Sequence, residues 1–180
     1  MNAAVLAERP QDAKEAPEVE DPSILARIDA LQVRYIAALD ARRMDRWLDT
    51  FTRQPEASYI CTTAESVAAG LRLALIMDDS HARLKDRVTF VTKIWVGTYP
   101  DYRTRHLIQR TACRAAGEGV YEVETNFSVA YTPSDTGRAA LFATGVYLDR
   151  VALGAQGATF LSKKVVTDNA VVERFMVYPL

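Results

Sequence analysis

The sequence predicts an α+β fold in which helices near the N-terminus pack against one antiparallel sheet that curls over them. Three observations predict it. Apolar residues recur at helical spacing between positions 24 and 39. Polar and apolar residues alternate in the last part of the chain, as they do in half-buried strands. The connections between those strands are short and rich in turn-forming residues, so successive strands are expected to pair antiparallel.

The composition is that of an ordinary globular protein. The chain has 180 residues, of which 49% are hydrophobic and 25% are charged. Its formal net charge of -1 provides no global field for a polyanion, so we expect neither a nucleic-acid nor a membrane partner. The N-terminal stretch does not resemble a signal peptide, and no run approaches the ~18 apolar residues that a membrane span requires. We therefore expect a cytoplasmic protein.

The chain is predicted to divide into an arm and one domain. Residues 1–20 are rich in Ala, Glu and Pro and carry few large apolar side chains, so they are expected to form a flexible N-terminal arm. Residues 21–180 are expected to form a single α+β domain. The sequence Asp21-Pro22-Ser23 is typical of a helix start and precedes the first amphipathic helix.

The elements that follow the first helix are predicted from local patterns. A shorter helix is indicated over 44–51, a short strand over 57–63, and a helix from Ser80 to the breaker sequence at 99–101. The adjacent pair Asp78 and Asp79 suits either a divalent-ion site or the cap of that helix, and the cap is favoured because Ser80 follows. Residues 71–77 are apolar and fit a buried strand or a helical turn equally well. Long strands are predicted over 105–113, 120–131, 139–151 and 159–167.

The supply of metal-ligating side chains is small. A Rieske cluster needs two Cys and two His in paired short spacings, and a mononuclear iron site needs two His and a carboxylate. The chain has only Cys61, Cys113, His81 and His106. No Cys lies at ligand spacing from a His, which excludes a Rieske cluster. A mononuclear site built from His81, His106 and an Asp is arithmetically possible, but the two imidazoles come from different elements. We therefore expect no metal and no cofactor in this chain, and two buried thiols. Phosphate-binding loops and nucleophile elbows are missing from the sequence as well.

The densest polar cluster is Tyr102-Arg103-Thr104-Arg105-His106. In a strand, Arg103 and Arg105 share one face, and Thr104 and His106 share the other. The arginine pair is either solvated or binds carboxylates across a subunit boundary, and the sequence leaves both interpretations open.

A second hypothesis concerns His106 and Asp149. An inward-facing imidazole and carboxylate in a curled sheet can form an acid/base pocket whose apolar walls shift their pKa values. Asp149 is followed by Arg150, however, and carboxylates are seldom buried, so a surface position for Asp149 is the favoured prediction.

A family resemblance rests on five blocks in a fixed order: LALIMDD at 73–79 with RLKDRV at 83–88, RTRHL at 103–107, ETNF at 124–127, FATGVYLD at 142–149, and VTD at 166–168 with MVYPL at 176–180. Together they resemble the small subunits of Rieske non-haem iron ring-hydroxylating dioxygenases, over about 24–180. The last two blocks are similar to the branch that acts on aromatic carboxylates such as terephthalate and salicylate.

The resemblance implies a cone-shaped fold similar to nuclear transport factor 2 and cystatin. It also implies a non-catalytic structural subunit that associates with other small subunits and with catalytic large subunits, commonly three of each. The Rieske [2Fe–2S] cluster and the mononuclear Fe(II) are then expected in the large subunit. Interface candidates are Arg103, Arg105, His106 and Tyr178. The alternative functions are a cofactor-free isomerase or dehydratase that uses His106 and Asp149, and a stand-alone binding module on the same fold.

Overall fold

The computed structural model describes residues 17–155, 157–172 and 175–180, so most of the predicted arm, residues 1–16, lies outside the described residues. The helices come mainly before the four long strands. The element order is α1 (Pro22–Asp40), α2 (Met44–Leu48), β1 (Ser58–Thr63), α3 (Ala64–Ala68), β2 (Ile76–Asp78), α4 (His81–Thr89), a π-helical turn (Phe90–Ile94), β3 (Tyr102–Gly117), β4 (Val120–Pro133), β5 (Ala140–Gly154) and β6 (Gly157–Thr167).

One curved, six-stranded sheet has the strand order β2-β1-β6-β5-β4-β3. The four long strands pair antiparallel through consecutive hairpins, as predicted. The prediction of a purely antiparallel sheet is wrong at one pair, because β1 runs parallel to β6. Most of the chain separates these two strands, so no hairpin fixes their relative direction. Within 71–77, which the sequence left open, only the beginning of the short edge strand β2 is regular.

Helix α1 starts and packs as its sequence indicates. The Asp21 carboxylate accepts a hydrogen bond from the Ser23 amide at 2.8 Å and caps the helix, and Pro22 occupies its first turn. The buried face carries Ile28, Leu31, Tyr35 and Leu39 and lies against the inner face of the sheet. Burial of such side chains contributes about 1.5–3 kcal/mol each to folding.

Helix α4 is shorter than its apolar spacing predicts. The Ser80 hydroxyl accepts from the Arg83 amide and caps the helix, which ends at Thr89 and continues only as the π-helical turn. Both carboxylate oxygens of Asp78 accept hydrogen bonds from Arg87, at 3.0 and 3.2 Å. The two aspartates considered as a possible ion site both form ion pairs, Asp78 with Arg87 and Asp79 with Arg83, and Ser80 caps the helix.

The described part of the predicted arm contacts the sheet. The Val19 amide donates to the Cys113 carbonyl at 2.8 Å. Glu18 forms an isolated antiparallel β-bridge with Arg114 on the edge strand β3. Cys113 and Cys61 are both buried free thiols, as predicted. Among the described residues, no helix has the length and apolar character needed to cross a membrane.

Candidate functional site

Arg103 and Arg105 lie on the face of β3 that points away from α1. Both side chains are exposed, in agreement with the predicted alternation. Leu107 shares this face and is 65% exposed. The register places Ala130 of β4 between Arg105 and Leu141 of β5, and Leu141 is 63% exposed. The outer face therefore combines two cations with apolar side chains, and we call these five residues the outer patch.

His106 faces the opposite way and is tied to helix α1. Its imidazole Nδ1 lies 2.6 Å from the Asp40 carboxylate, and its amide donates to the same carboxylate at 3.1 Å. The Thr104 hydroxyl is a third donor at 2.8 Å. Burial raises the pKa of Asp40, but the interactions with His106 and Thr104 outweigh it, so the pKa lies below its usual value. Because an ionised carboxylate only accepts, the Nδ1 atom carries the proton.

The buried position of His106 decides what its side chain does. The imidazole is 1% exposed, and its Nε2 atom is buried without a hydrogen-bond partner among the described residues. His106 is also one of the interface candidates predicted from the sequence. The structure places its side chain inside the chain, where it fixes the end of α1 to the edge strand, and only the neighbouring arginines reach the surface.

Tyr178 belongs to an aromatic cluster at one end of the sheet. Its ring packs edge-on against Tyr99 and Tyr102, with centroids 6.4 and 6.1 Å away. Its hydroxyl lies 3.0 Å from that of Tyr99, and the Arg42 guanidinium stacks 5.5 Å from the ring centroid. Burial raises the pKa of Tyr178 above its usual range. The ring is half-buried by these contacts within the chain.

His106 and Asp149 do not form a pair. His106 is opposite Val129 on β4, whereas Asp149 is opposite Val123 on the same strand. Six residues of an extended strand span about 20 Å, and the two side chains lie on strands at opposite sides of β4. An acid and a base at such a separation cannot share a proton transfer. The geometry does not assemble the acid/base pair of the alternative hypothesis.

Asp149 is buried, and its predicted surface position is wrong. Its residue is 3% exposed and faces inward with Tyr147 and Val151. Its Oδ2 atom accepts from the Lys163 amine at 2.7 Å and from the Gln32 amide at 2.6 Å. The prediction relied on how seldom carboxylates are buried, but a cation directly opposite on β6 compensates this one.

The Lys163 amine lies among aromatic rings inside the cone. Its Nζ atom is 3.9 Å from the ring centroid of Tyr147, 4.4 Å from that of Phe160 and 4.5 Å from that of Tyr35. Burial lowers the pKa of Lys163 to about 8, although Asp149 opposes this shift. Burial likewise raises the pKa of Asp149 against the effect of Lys163. Desolvation thus acts on both partners, while the 2.7 Å contact favours their ionised forms.

Sequence reasoning missed Lys163, Gln32 and Asp40. Lys163 is followed by another lysine, which made the pair resemble a solvated stretch. Alternation along β6 carried the signal, because Lys163 shares its inward face with Val165 and Thr167. Gln32 lies on the apolar face of α1, where a polar side chain needs a buried partner. No local pattern distinguishes Asp40 from an exposed residue at a helix end.

A small apolar cleft opens beside the aromatic cluster. Its walls are aromatic rings and two prolines, and none of the described residues that line it carries a carboxylate, amine, imidazole or thiol. It suits an apolar group but holds no acid or base. The lining residues are Pro100, Tyr102, Tyr131, Pro133, Phe142 and Phe175.

The described residues contain no group of three or more His, Cys, Asp or Glu side chains that could hold a metal ion. His106 is bound to Asp40, and Cys61 is surrounded by the core, where burial raises its pKa to about 12. A thiol that keeps its proton is a poor metal ligand.

The curved sheet packed on N-terminal helices defines the class of cone-shaped, nuclear-transport-factor-2-like proteins. The comparison with protein families is more specific. The family model described as "Ring hydroxylating beta subunit" matches residues 34–174. The chain therefore belongs to the β-subunit family of ring-hydroxylating dioxygenases, in agreement with the resemblance of the five blocks.

Members of this family align with the chain over most of their length. The chain is 29% identical over 161 residues to the anthranilate 1,2-dioxygenase small subunit of Burkholderia cepacia, which covers 89% of this chain and 97% of that protein. It is 26% identical to β subunit 1 of the terephthalate 1,2-dioxygenase terminal oxygenase component of Comamonas sp, with 86% and 97% covered. A solved β subunit, described as that of an aromatic-ring-hydroxylating dioxygenase from Novosphingobium aromaticivorans, has a TM-score of 0.73 at 25% identity, with 84% and 93% covered.

Proposed function

We propose that this chain is the non-catalytic structural subunit of a ring-hydroxylating dioxygenase, and that it supports assembly with a large subunit carrying the Rieske [2Fe–2S] cluster and the mononuclear Fe(II). The match of the family model to residues 34–174 carries the proposal. The filled interior agrees with it. An enzyme on this fold would need open space beside an acid or base, whereas the described acid and base in this interior, Asp149 and Lys163, are paired with each other.

The proposed substrate of the complete enzyme is an aromatic carboxylate. Anthranilate and terephthalate, which appear in the names of two relatives, both combine an aromatic ring with a carboxylate. The terephthalate-like substrate that the sequence blocks favour is one member of this class. We place the reaction in the large subunit, in the cytoplasm, with three subunits of each kind.

The proposed contact surface with other subunits is the outer patch. Arg103 and Arg105 provide forked donors for carboxylates, and Leu107 and Leu141 provide exposed apolar area on the same face. Interfaces combine an apolar centre with arginine contacts, and permanent ones commonly bury about 2,000 Å² or more. Tyr178 contributes by holding the adjacent aromatic cluster in place.

Co-expression with the large-subunit gene tests the proposal. We expect a stable complex that contains iron and, when an electron donor is supplied, consumes oxygen with an aromatic carboxylate, and we expect the purified small subunit alone to do neither. The double variant Arg103→Glu/Arg105→Glu is expected to weaken assembly at least about tenfold, since reversed charges at an interface cost several kcal/mol. Arg46→Glu, on the exposed side of α2, is the matched control.

The outcomes separate two parts of the proposal. Turnover of an aromatic carboxylate by the isolated chain would contradict the structural role. Normal assembly of the charge-reversed variant, measured by analytical ultracentrifugation alongside the control, would instead refute the outer patch as the contact surface and leave the subunit assignment intact.

A further inference from the structure

Residues 175–180, which we call the strap, enter the cone from the side of the aromatic cluster. Phe175 is exposed, whereas Val177 and Leu180 are 1% and 2% exposed. The strap belongs to neither a helix nor a strand. It therefore lacks the ladder of backbone hydrogen bonds that fixes the long strands, and side chains from other elements hold it.

Hydroxyl groups of the cone interior hold the strap at Leu180. The Tyr35 hydroxyl of α1 donates to the Leu180 main-chain oxygen at 2.6 Å. The Tyr59 hydroxyl of β1 donates to the same oxygen at 3.5 Å and accepts from the Leu180 amide at 2.9 Å. Two phenols from different elements thus converge on one acceptor oxygen in a buried site.

A third donor, the Trp47 indole, lies beside them and forms no hydrogen bond of normal geometry with the described residues. The Nε1 atom of Trp47 is buried and has no hydrogen-bond partner among the described residues. Trp47 is 0% exposed, and its indole packs edge-on against Tyr59 with centroids 5.9 Å apart. Burial raises the pKa of Tyr35, and a side-chain interaction with Trp47 lowers it, so the indole lies within reach of the Tyr35 hydroxyl without forming a hydrogen bond of normal geometry. A buried donor without a well-placed acceptor costs free energy, so an acceptor oxygen that reached this N–H group would bind favourably.

The walls around these donors are flat and apolar. Phe160 packs edge-on against Tyr35 with centroids 5.5 Å apart, and Phe51 contacts Trp47 at 5.1 Å. Aromatic walls with a few convergent donors are the usual construction of a small-molecule site. The apolar cleft lies at its entrance, since Phe175 of the strap lines the cleft and Tyr102 of the cleft packs against Tyr178 of the strap.

We propose that the space inside the cone that Leu180 fills is a binding site for a small aromatic molecule with a carboxylate or carbonyl oxygen, and that the strap is its built-in occupant. Tyr35, Tyr59 and Trp47 are the donors for that oxygen. Displacement of the strap joins the cleft to the site and admits the molecule. Affinity in the intact chain is reduced by the fraction of chains in which the strap is displaced. This site is separate from the outer patch, so its existence does not depend on the proposed function.

A variant that ends at Met176 tests the proposal by calorimetric titration with benzoate and benzamide. We expect one molecule bound per chain, at least about tenfold more tightly than by the intact chain, because the competing strap is removed. Adding Tyr59→Phe to this variant is expected to lower the benzoate affinity about tenfold, the value of one buried hydrogen bond, and to leave toluene binding unchanged. Equal binding of toluene and benzoate, or no binding by a variant that melts cooperatively, would overturn the proposal.

Thiol labelling in the intact chain provides a test that does not need the truncation. In a Cys113→Ala background, Cys61 reports on the interior, because its thiol interacts with Tyr59. Tyr35→Phe removes the short bond to the strap and is expected to speed Cys61 labelling several-fold, and saturating benzoate is expected to reverse that increase. Tyr121→Phe, on the far part of β4, is the control and should leave the rate unchanged. A labelling rate that does not respond to benzoate refutes the site.

Discussion

The buried pair of Lys163 and Asp149 supports a quantitative prediction about stability. Lys163→Met keeps most of the side-chain volume but removes the amine that lies 2.7 Å from Asp149. Of the described donors to this carboxylate, Gln32 alone then remains, and breaking such a buried pair costs about 3–5 kcal/mol. A domain of this size loses about 2–4 °C of melting temperature per kcal/mol, so the expected decrease is roughly 6–20 °C.

The matched variant removes both charges. Lys163→Met/Asp149→Leu replaces the pair with apolar side chains, and this exchange is often neutral or stabilising when packing is retained. We expect the double variant to regain most of the lost stability and to give a large coupling free energy in a double-mutant cycle. Thermal and urea denaturation of the isolated subunit, followed by circular dichroism, measures each corner. If Lys163→Met alone costs less than about 1 kcal/mol, the charges are not stabilising each other and the reasoning fails.

The pair also predicts a pH dependence. The pKa of Lys163 is lowered from 10.5 to about 8 in the folded chain, so between these values the unfolded chain binds more protons. Stability from this group therefore rises with pH from about 8 to 10.5. Cys61 acts in the opposite direction above pH 9, because burial raises its pKa from 9.0 to about 12. Cys61 is present in both the wild type and the Lys163→Met/Asp149→Leu variant, so its contribution cancels when their free energies of unfolding are subtracted. We expect the wild-type value minus the double-variant value to increase from about pH 8 to 10.5.

Two further substitutions test local features. Gly145→Ala is expected to destabilise the chain by about 3 kcal/mol or more, or to prevent folding. The new Cβ would lie 2.0 Å from the Val166 carbonyl oxygen, and the backbone φ of +157° suits glycine. An unchanged midpoint of urea denaturation would contradict this prediction. Asp40→Asn weakens the contacts to His106 and is expected to cost about 1–3 kcal/mol near neutral pH. Since the pKa of Asp40 is lowered in the folded chain, this cost should shrink as pH falls below 3.8, which acid titration of both proteins measures.

Local patterns in the sequence predicted the elements whose stability is local. The apolar face of α1 and its Asp21 cap depend on residues a few positions apart, and both are present in the structure. The four long strands follow from alternation and turn residues, which act over a single hairpin. Helix α4 was predicted too long because apolar spacing of three and four continues through the π-helical turn.

Features that depend on distant pairing were not predictable in the same way. The parallel contact between β1 and β6 joins Tyr59 to Lys163, which are far apart in the sequence. Asp149 was assigned to the surface because its environment depends on the register that places Lys163 opposite it. A shift of β5 by one residue relative to β6 would turn the Asp149 side chain to the outer face of the sheet. The exposed pair Arg103 and Arg105 was placed correctly because strand alternation alone decides it.

The buried pair of Lys163 and Asp149 also explains how one fold can serve both enzymes and scaffolds. A cone of sheet and helix encloses an interior that is either left open for substrate or filled by the chain. Here Lys163 and Asp149 neutralise each other, and Leu180 occupies the space in front of Tyr35 and Tyr59. Among the described residues, the acid and the base of this pair are thus engaged with each other, and the strap fills the space beside them. A shortened strap is then the smallest change that we expect to reopen the interior to a ligand.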